Sequence, residues 1–209
     1  MVQSITYHRE KIYDPVLRVI HAWNALALLM LMATAWSSDL FGQDAGQKAV
    51  WELHVYLGYA LVLGLVSRMS WGYFGPRHAQ LSDMWHPAAW RRALSRRTLV
   101  TPPRFGHHAL ASAVYLVVYG LFAVMALTGL GLAATEFSMG PFDAWLGDKI
   151  WLKEILKPPH EALTNFLAGF VVVHIAALIW HENRDKTPLA QSMVTGYQYL
   201  CTYKDRHRE

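Results

Sequence analysis

The chain alternates between long apolar stretches and shorter polar segments. Four of the apolar stretches are long enough to cross the hydrocarbon core of a bilayer, which takes about 20 residues in a helix. We expect these spans at residues 16–36, 50–71, 109–134 and 161–180. The pattern predicts an all-α fold, an integral membrane four-helix bundle that forms a single domain over residues 1–209, with a polar tail at 182–209.

Two of the loops between the spans carry apolar side chains of their own. Residues 85–97 combine tryptophans with a basic cluster, which predicts a short helix on the cytoplasmic leaflet within the 73–107 loop. Residues 142–156 place apolar side chains at mixed helical spacing within the 135–159 loop. They predict an interfacial helix on the outer side, ended by Pro158 and Pro159. We expect this helix to cap the bundle, and a docking surface for an external partner is the alternative.

Composition agrees with a membrane protein. Hydrophobic residues make up 54% of the chain and charged residues 16%, against about 45–50% and about 25% in soluble domains. The single cysteine, Cys201, excludes a disulfide framework, a thiolate zinc site, a cysteine-ligated iron–sulfur cluster and a C-x-x-C-H haem attachment. The net charge is +4, but the basic residues flank apolar runs and form no nucleic-acid-binding motif, so we expect no nucleic-acid partner.

The distribution of Lys and Arg predicts the orientation of the spans. The segments outside the spans carry 13 such residues on the side that holds both termini and 4 on the other side. The positive-inside rule then places both termini in the cytoplasm of a bacterial cell, with the chain in its cytoplasmic (inner) membrane. The first span has a basic front and a small-x-small site at Ala33-Thr34-Ala35, but His21 and Asn24 interrupt it, so we expect a retained helix.

Four of the 11 histidines fall within the spans or at the outer mouth of the fourth span. His21 and His174 lie about 7–9 Å from the cytoplasmic edge, whereas His54 lies about 6 Å from the outer edge and His160 stands at the outer mouth. Ionisable groups at such depths are costly and usually mark function, although each alone could be a hydrogen-bonded contact between helices. The depths predict two pairs, His21 with His174 and His54 with His160, and the outer pair mismatches by several ångströms.

Two levels of facing imidazoles are what two bis-histidine haems require. Imidazole is a good axial ligand of haem iron, and the interior of a bundle is the usual place for such a cofactor. Zinc is the competing metal, but it favours three or four ligands at one depth. Gly58, one turn after His54, leaves room for a flat macrocycle.

Several short motifs resemble the bacterial cytochrome b561 superfamily, especially the b-type cytochrome subunit of nickel–iron hydrogenases and related small quinone-linked cytochromes b. The motifs are Val19-Ile20-His21-Ala22-Trp23-Asn24, Glu52-Leu53-His54-Val55-Tyr56-Leu57-Gly58, Gly106-His107, Ala126-Leu127-Thr128-Gly129, His160-Glu161, Val173-His174-Ile175 and Ser192-Met193-Val194-Thr195-Gly196-Tyr197. The resemblance covers nearly the whole chain. It implies that His21, His54, His160 and His174 ligate two b haems, which are the four histidines that depth selects. One departure is His108, where hydrogenase-type relatives usually carry Asn.

Further residues have two possible roles. Arg18, one turn before His21, could pair with a haem propionate or extend its side chain to the headgroups. His107 and His108 stand at the cytoplasmic mouth of the third span, where they could bind a quinone (ubiquinone or menaquinone) or remain solvated interface groups. His181 lies near the face of His174 but beyond the apolar span, so we expect an interfacial role.

These features together predict a membrane di-haem b-type cytochrome. It would pass electrons between a periplasmic-side redox partner, such as a hydrogenase-type enzyme or a cytochrome c, and the quinone pool. It would therefore be an electron-transfer subunit of an oxidoreductase. A self-contained superoxide:quinone oxidoreductase of the same fold is one alternative. A haem-free membrane anchor or small transporter is the other, although the chain shows no internal repeat.

Overall fold

The computed structural model describes residues 5–41, 45–96, 106 and 109–203. The chain is mostly helical, as predicted. In chain order the helices and strands are β1 (Ile5–Lys11), α1 (Pro15–Ser37), α2 (Ala45–Phe74), α3 (Pro87–Arg96), α4 (Ala109–Phe137), α5 (Asp143–Leu146), α6 (Leu152–Asp185), α7 (Ala190–Thr195) and β2 (Tyr197–Tyr203), with short 3-10 helices at Ser38–Phe41, Arg77–Ala79 and Leu81–Met84.

Four helices, α1, α2, α4 and α6, are long and apolar enough to cross a membrane. Each predicted span lies inside one of them, so the prediction of four spanning helices is confirmed. Large apolar side chains on these helices point away from the protein: Val117, Leu127 and Val172 are each more than 60% exposed. Such exposure is normal for a surface whose solvent is lipid.

The prediction that Pro158 and Pro159 end a helix is wrong. Both prolines lie inside α6, which begins at Leu152 and continues to Asp185. The predicted outer helix at 142–156 is therefore split between the four-residue α5 and the first turn of α6. Each proline removes one backbone donor but keeps a helical φ, and helices in membranes tolerate this loss when their surroundings satisfy the carbonyls. The short helix predicted at 85–97 is present as α3.

The described residues belong to two compact units. One, the cavity unit, comprises residues 20–68 and 117–171, and the other, the terminal unit, comprises residues 1–19, 69–116 and 172–209. The core of the cavity unit joins α1, α4 and α6 through Leu28, Met32, Val118 and Leu167, with Leu167 fully buried. In the same unit α2 is joined to α1, because the indole of Trp23 donates to the carbonyl of Ala60 at 2.8 Å.

The terminal unit contains a structure that the sequence pattern did not predict. Strands β1 and β2 pair antiparallel, from Ile5 opposite Tyr203 to Lys11 opposite Tyr197. Gly196 makes the turn into β2 with a φ of +85°, and its carbonyl accepts the N–H groups of Ile12 and Tyr13 at 2.9 and 3.1 Å. A Cβ at position 196 would lie 2.6 Å from the carbonyl oxygen of Tyr13. Glycine is required here for both reasons.

Asp14 and Pro15 determine where α1 begins. The Asp14 carboxylate accepts the N–H groups of Val16 and Leu17, both at 3.0 Å, and so caps the helix. Pro15 occupies the first helical position, where its missing N–H costs nothing. The same carboxylate accepts the indole N–H of Trp71 at 3.1 Å, which ties the start of α1 to the end of α2 within the terminal unit.

Candidate functional site

The cavity unit encloses a space of about 710 Å³. This volume is within the range of about 300–1,000 Å³ that small-molecule and cofactor sites occupy. Residues of α1, α2, α4 and α6 line it, and most of them are apolar. The two outer histidines predicted from the sequence, His54 and His160, both line this one cavity. The structure therefore brings together the outer pair of candidate ligands.

Both outer histidines lie well inside their helices in the structure. Helix α2 begins at Ala45 and α6 at Leu152, both earlier than the predicted spans. His54 thus lies about 13 Å and His160 about 12 Å along its helix, at a rise of 1.5 Å per residue. The two rings therefore lie at similar distances from the beginnings of their helices, and the cavity that both of them line brings them together.

A threonine hydroxyl contacts the ring of His54. Oγ1 of Thr34 on α1 lies 2.9 Å from Nδ1 of His54. The same Oγ1 lies 3.0 and 2.9 Å from the carbonyl oxygens of Met30 and Leu31. A hydroxyl has one hydrogen, so all these contacts are favourable only when it donates to a carbonyl and accepts from Nδ1–H. His54 is then the tautomer whose Nε2 carries the lone pair.

His160 has the same arrangement with a different threonine. Oγ1 of Thr128 on α4 lies 3.0 Å from Nδ1 of His160 and 2.9 and 3.1 Å from the carbonyl oxygens of Val124 and Met125. The same reasoning leaves the lone pair of His160 on Nε2. Two neutral imidazoles with free Nε2 lone pairs, lining one apolar cavity, are a donor set that suits the two axial positions of a haem iron.

Small residues keep space open beside the two rings. A Cβ at Gly58 on α2 would have nothing within 4 Å, and Gly58 lines the cavity. A Cβ at Gly129 on α4 would lie 3.0 Å from Cε1 of His160. The space at Gly58 is therefore open on the cavity side of α2, and its use by a macrocycle stays a prediction. The buried hydroxyl of Tyr59 also lines the cavity and has no hydrogen-bond partner among the described residues.

One end of the cavity is polar. Nζ of Lys153 on α6 lies 2.7 Å from Oε1 of Glu136 on α4, and both side chains line the cavity. Lys157 and Glu161 line it as well, 3.8 Å apart and largely exposed. The cavity therefore offers an apolar body with charged groups at one end. The residues present fit a flat apolar macrocycle that carries carboxylates, such as haem.

The other two predicted haem ligands lie in different units. His21 is an exposed residue of α1 in the cavity unit. His174 is half-buried in the terminal unit, where its ring makes an edge contact with Tyr115 at 6.3 Å between centroids. Their pairing stays a prediction. Arg18 in the terminal unit donates to the carbonyl of Val194, and its buried Nε has no hydrogen-bond partner among the described residues.

His107 and His108 lie outside the described residues, so their predicted quinone role stays a prediction. The residue before them is described: Gly106 has a φ of +82°, and its N–H donates to Oε1 of Gln198 at 2.9 Å. Gln198 belongs to β2, so the strand pair and Gly106 are joined within the terminal unit. A Cβ at Gly106 would lie 2.8 Å from Oδ2 of Asp83, so glycine is required by both space and φ.

A partly buried tyrosine belongs to the same part of the terminal unit. Burial raises the pKa of Tyr13 to about 12, and the nearby Tyr115 and Asp83 act in the same direction. Tyr13 therefore keeps its hydroxyl proton at neutral pH. Asp83 also lies 3.4 Å from Nδ1 of His78.

Sequence reasoning missed Thr34, Thr128, Glu136 and Lys153. Thr34 appeared only as part of a cleavage-like site and Thr128 only as part of a motif. A signal was present, since each threonine is a polar residue inside an otherwise apolar span. It was too weak to use, because 20 residues separate Thr34 from His54 and 32 separate Thr128 from His160. Across the described ranges, no group of three or more His, Cys, Asp or Glu side chains could hold one metal ion.

Four apolar spanning helices and an internal cavity lined by two histidines define a multi-pass membrane protein with a cofactor site. Comparison with known families gives the particular class. A profile described as prokaryotic cytochrome b561 matches residues 12–196. The chain belongs to the prokaryotic cytochrome b561 family. It is a membrane b-type cytochrome that functions in electron transfer, and the family implies haem b as its cofactor.

Individual relatives agree with the family at modest identity. Three of them are named as probable Ni/Fe-hydrogenase B-type cytochrome subunits. The relative from Cupriavidus necator is 23% identical over 93% of this chain and 87% of its own. The relative from Azotobacter vinelandii is 23% identical over 90% and 87%, and that from Bradyrhizobium diazoefficiens is 24% identical over 88% and 84%. No solved structure gives a significant match.

Proposed function

We propose that this chain is a di-haem electron-transfer subunit that connects a redox partner on the outer side of the bacterial cytoplasmic membrane with the quinone pool. The observation that carries the proposal is the cavity that His54 and His160 both line, each with a threonine hydroxyl at its Nδ1. Haem b, when bound, supplies reversible one-electron chemistry. The chain supplies ligands, orientation and an environment that excludes water.

His54 and His160 hold the outer haem in this proposal. The apolar residues of α1, α2, α4 and α6 surround the macrocycle, and Gly58 and Gly129 leave space for its faces. Lys153 and Lys157 at the polar end would pair with its carboxylates, because ammonium groups there neutralise charge that the apolar wall cannot solvate. The hydroxyl of Tyr59 is a further donor into the same space.

His21 and His174 hold the inner haem in this proposal. Its support is their similar depth in the sequence and the resemblance of their motifs to the family. Arg18 lies one turn before His21, and its buried Nε–H is a donor without a partner among the described residues. A guanidinium suits a propionate, because it forms charge-assisted hydrogen bonds with a carboxylate.

The redox partner we propose is a hydrogenase-type enzyme on the periplasmic side. The relatives from Cupriavidus necator and Azotobacter vinelandii carry names that place them in Ni/Fe-hydrogenases. A periplasmic cytochrome c is the other candidate. The orientation behind this proposal, with both termini cytoplasmic, is supported by the count of 13 basic residues against 4.

The proposal predicts two non-covalent b haems for each chain. Two histidine pairs are available, and no C-x-x-C-H attachment motif exists. A pyridine haemochrome assay on purified protein should give a ratio of two, and acid–acetone should extract all the haem. A ratio near one would contradict the second site, and a protein free of haem would favour a membrane anchor or transporter instead.

Quinone chemistry is proposed for His107 and His108, which precede α4. Quinone reduction takes up protons, and an imidazole there can donate one and recover it from water. Changing both to alanine should slow haem oxidation or reduction by a quinone analogue by about 10²-fold, with haem content unchanged. Stopped-flow spectroscopy would measure the rates, with His8→Ala, an exposed residue of β1, as the matched control. Unaltered rates would show that the quinone binds elsewhere. Loss of a haem would show that one of these histidines is a haem ligand.

A further inference from the structure

Two threonines stand in equivalent relations to the two outer histidines. Thr34 of α1 contacts Nδ1 of His54 on α2 at 2.9 Å, and Thr128 of α4 contacts Nδ1 of His160 on α6 at 3.0 Å. Each contact joins two different helices. The same hydrogen-bonding arrangement therefore occurs twice beside one cavity, once between α1 and α2 and once between α4 and α6.

Both hydroxyls are committed as donors to their own helices, to carbonyls three or four residues earlier. Each oxygen therefore has its lone pairs left for an incoming N–H. An imidazole that donates Nδ1–H in this way is held in one ring orientation and one tautomer, with the Nε2 lone pair available to a metal. The hydrogen bond also makes the ring a stronger electron donor.

The bond from a threonine to its own helix is common and is not by itself a sign of function. Thr135 on α4 makes the same kind of bond, to the carbonyl of Gly131 at 3.1 Å, and Thr164 on α6 does so to the carbonyl of His160 at 3.1 Å. Within the described part of the chain, neither of these two hydroxyls lies at hydrogen-bond distance from a histidine ring. What distinguishes Thr34 and Thr128 is the imidazole nitrogen at hydrogen-bond distance.

We propose that Thr34 and Thr128 are positioning residues that hold His54 and His160 as Nε2 ligands and lower the reduction potential of the haem between them. The inference rests on the proposed function, in which these two histidines ligate one haem. The physical reason is that a stronger donor ring stabilises the oxidised iron more than the reduced iron. The threonines would thereby make the reduction potential of this haem differ from that of the other haem.

The test is a redox titration of purified, haem-loaded protein with Thr34→Val and Thr128→Val. Valine keeps the shape of threonine and replaces the hydroxyl with a methyl group, which cannot accept a hydrogen bond. In each variant the equilibrium constant for reduction of one haem should rise about tenfold. This corresponds to an upward shift of its reduction potential by about 59 mV for a one-electron couple. The low-spin ferric signal of that haem in electron paramagnetic resonance should shift as well, while the other haem should stay unchanged.

Two sets of controls separate positioning from a merely structural role. Thr34→Ser and Thr128→Ser keep the hydroxyl and should restore the potential of the wild type. Thr135→Val is the second control, because the buried hydroxyl of Thr135 also donates to a carbonyl of α4. This variant should leave the reduction potentials of both haems unchanged. If a valine variant loses haem, a serine variant that regains haem and potential supports the inference, and one that does not regain them overturns it.

The remaining outcomes distinguish this inference from the proposed function. Haem-loaded valine variants with unchanged potentials would overturn the role of the threonines and leave the ligand assignment intact. A shift in Thr135→Val as large as in Thr128→Val would overturn it too, as a general effect of losing a hydroxyl from α4. Wild-type protein that binds no haem would instead overturn the proposed function itself.

Discussion

Replacing either His54 or His160 with alanine should remove the same haem, so that each variant keeps one haem per chain. The two imidazoles line one cavity, so either loss leaves the iron bound there with a single protein ligand. The surrounding helices should survive, because alanine favours a helix and the apolar core of Leu28, Met32 and Leu167 is not touched. The measurement is haem content by pyridine haemochrome, together with a redox titration that resolves the two components.

The matched control for this prediction is His181→Ala. His181 is an exposed residue on the same helix as His160, outside the cavity, so both haems should remain. By the same reasoning His21→Ala and His174→Ala should deplete the other component. Loss of different spectral components from His54→Ala and His160→Ala would contradict the pairing.

Gly129→Leu should weaken binding of the same haem without changing a ligand. A Cβ at this position would lie 3.0 Å from Cε1 of His160, closer than the about 3.5–4.0 Å of ordinary carbon contacts. The three further carbons of leucine would push the ring of His160 away and reduce the cavity that Gly129 lines. Overpacking of this kind costs about 1–3 kcal/mol, which is enough to lower haem affinity by one to two orders of magnitude.

Gly120→Leu is the control for the glycine prediction. Gly120 lies on the same helix, and a Cβ there would have nothing within 4 Å. The variant should keep both haems, as measured by absorbance of the purified protein and by haem retention during dilution. Equal haem loss in the two variants would show that α4 tolerates no large residue, and would contradict a specific effect of Gly129 on His160.

The location of the spans could be predicted because the bilayer imposes it. A helix must satisfy its backbone groups internally and cover them with about 20 apolar residues. The stretches at 16–36 and 109–134 therefore agree closely with α1 and α4. The histidines could be selected for the same reason, since a polar ring inside such a stretch needs a partner or a function.

The helix ends outside the apolar stretches could not be predicted in this way. Residues 152–160 contain three charges and two prolines, which are typical of a loop, yet they continue α6. Lys153 reaches Glu136 at 2.7 Å, a contact between helices that no local pattern reveals. The early beginning of α6 places His160 inside the helix rather than in its first turn.

The strand pair was missed because its two halves lie at opposite ends of the chain. A two-stranded ribbon is marginal by itself, so neither Ile5–Lys11 nor Tyr197–Tyr203 carries a strong signal alone. Contacts from elsewhere in the terminal unit stabilise it: Gln198 accepts the N–H of Gly106, and Gly196 accepts those of Ile12 and Tyr13.

The sequence by itself determined that the chain crosses a membrane four times, and it singled out the histidines that could hold a cofactor. These properties follow from the local cost of placing polar groups in lipid, which each segment meets on its own. Only the tertiary structure showed the cavity that His54 and His160 both line and the threonine hydroxyl that contacts each ring. Hydrogen bonds between helices depend on rotation and depth to within an ångström, and only the packing of the whole unit defines these.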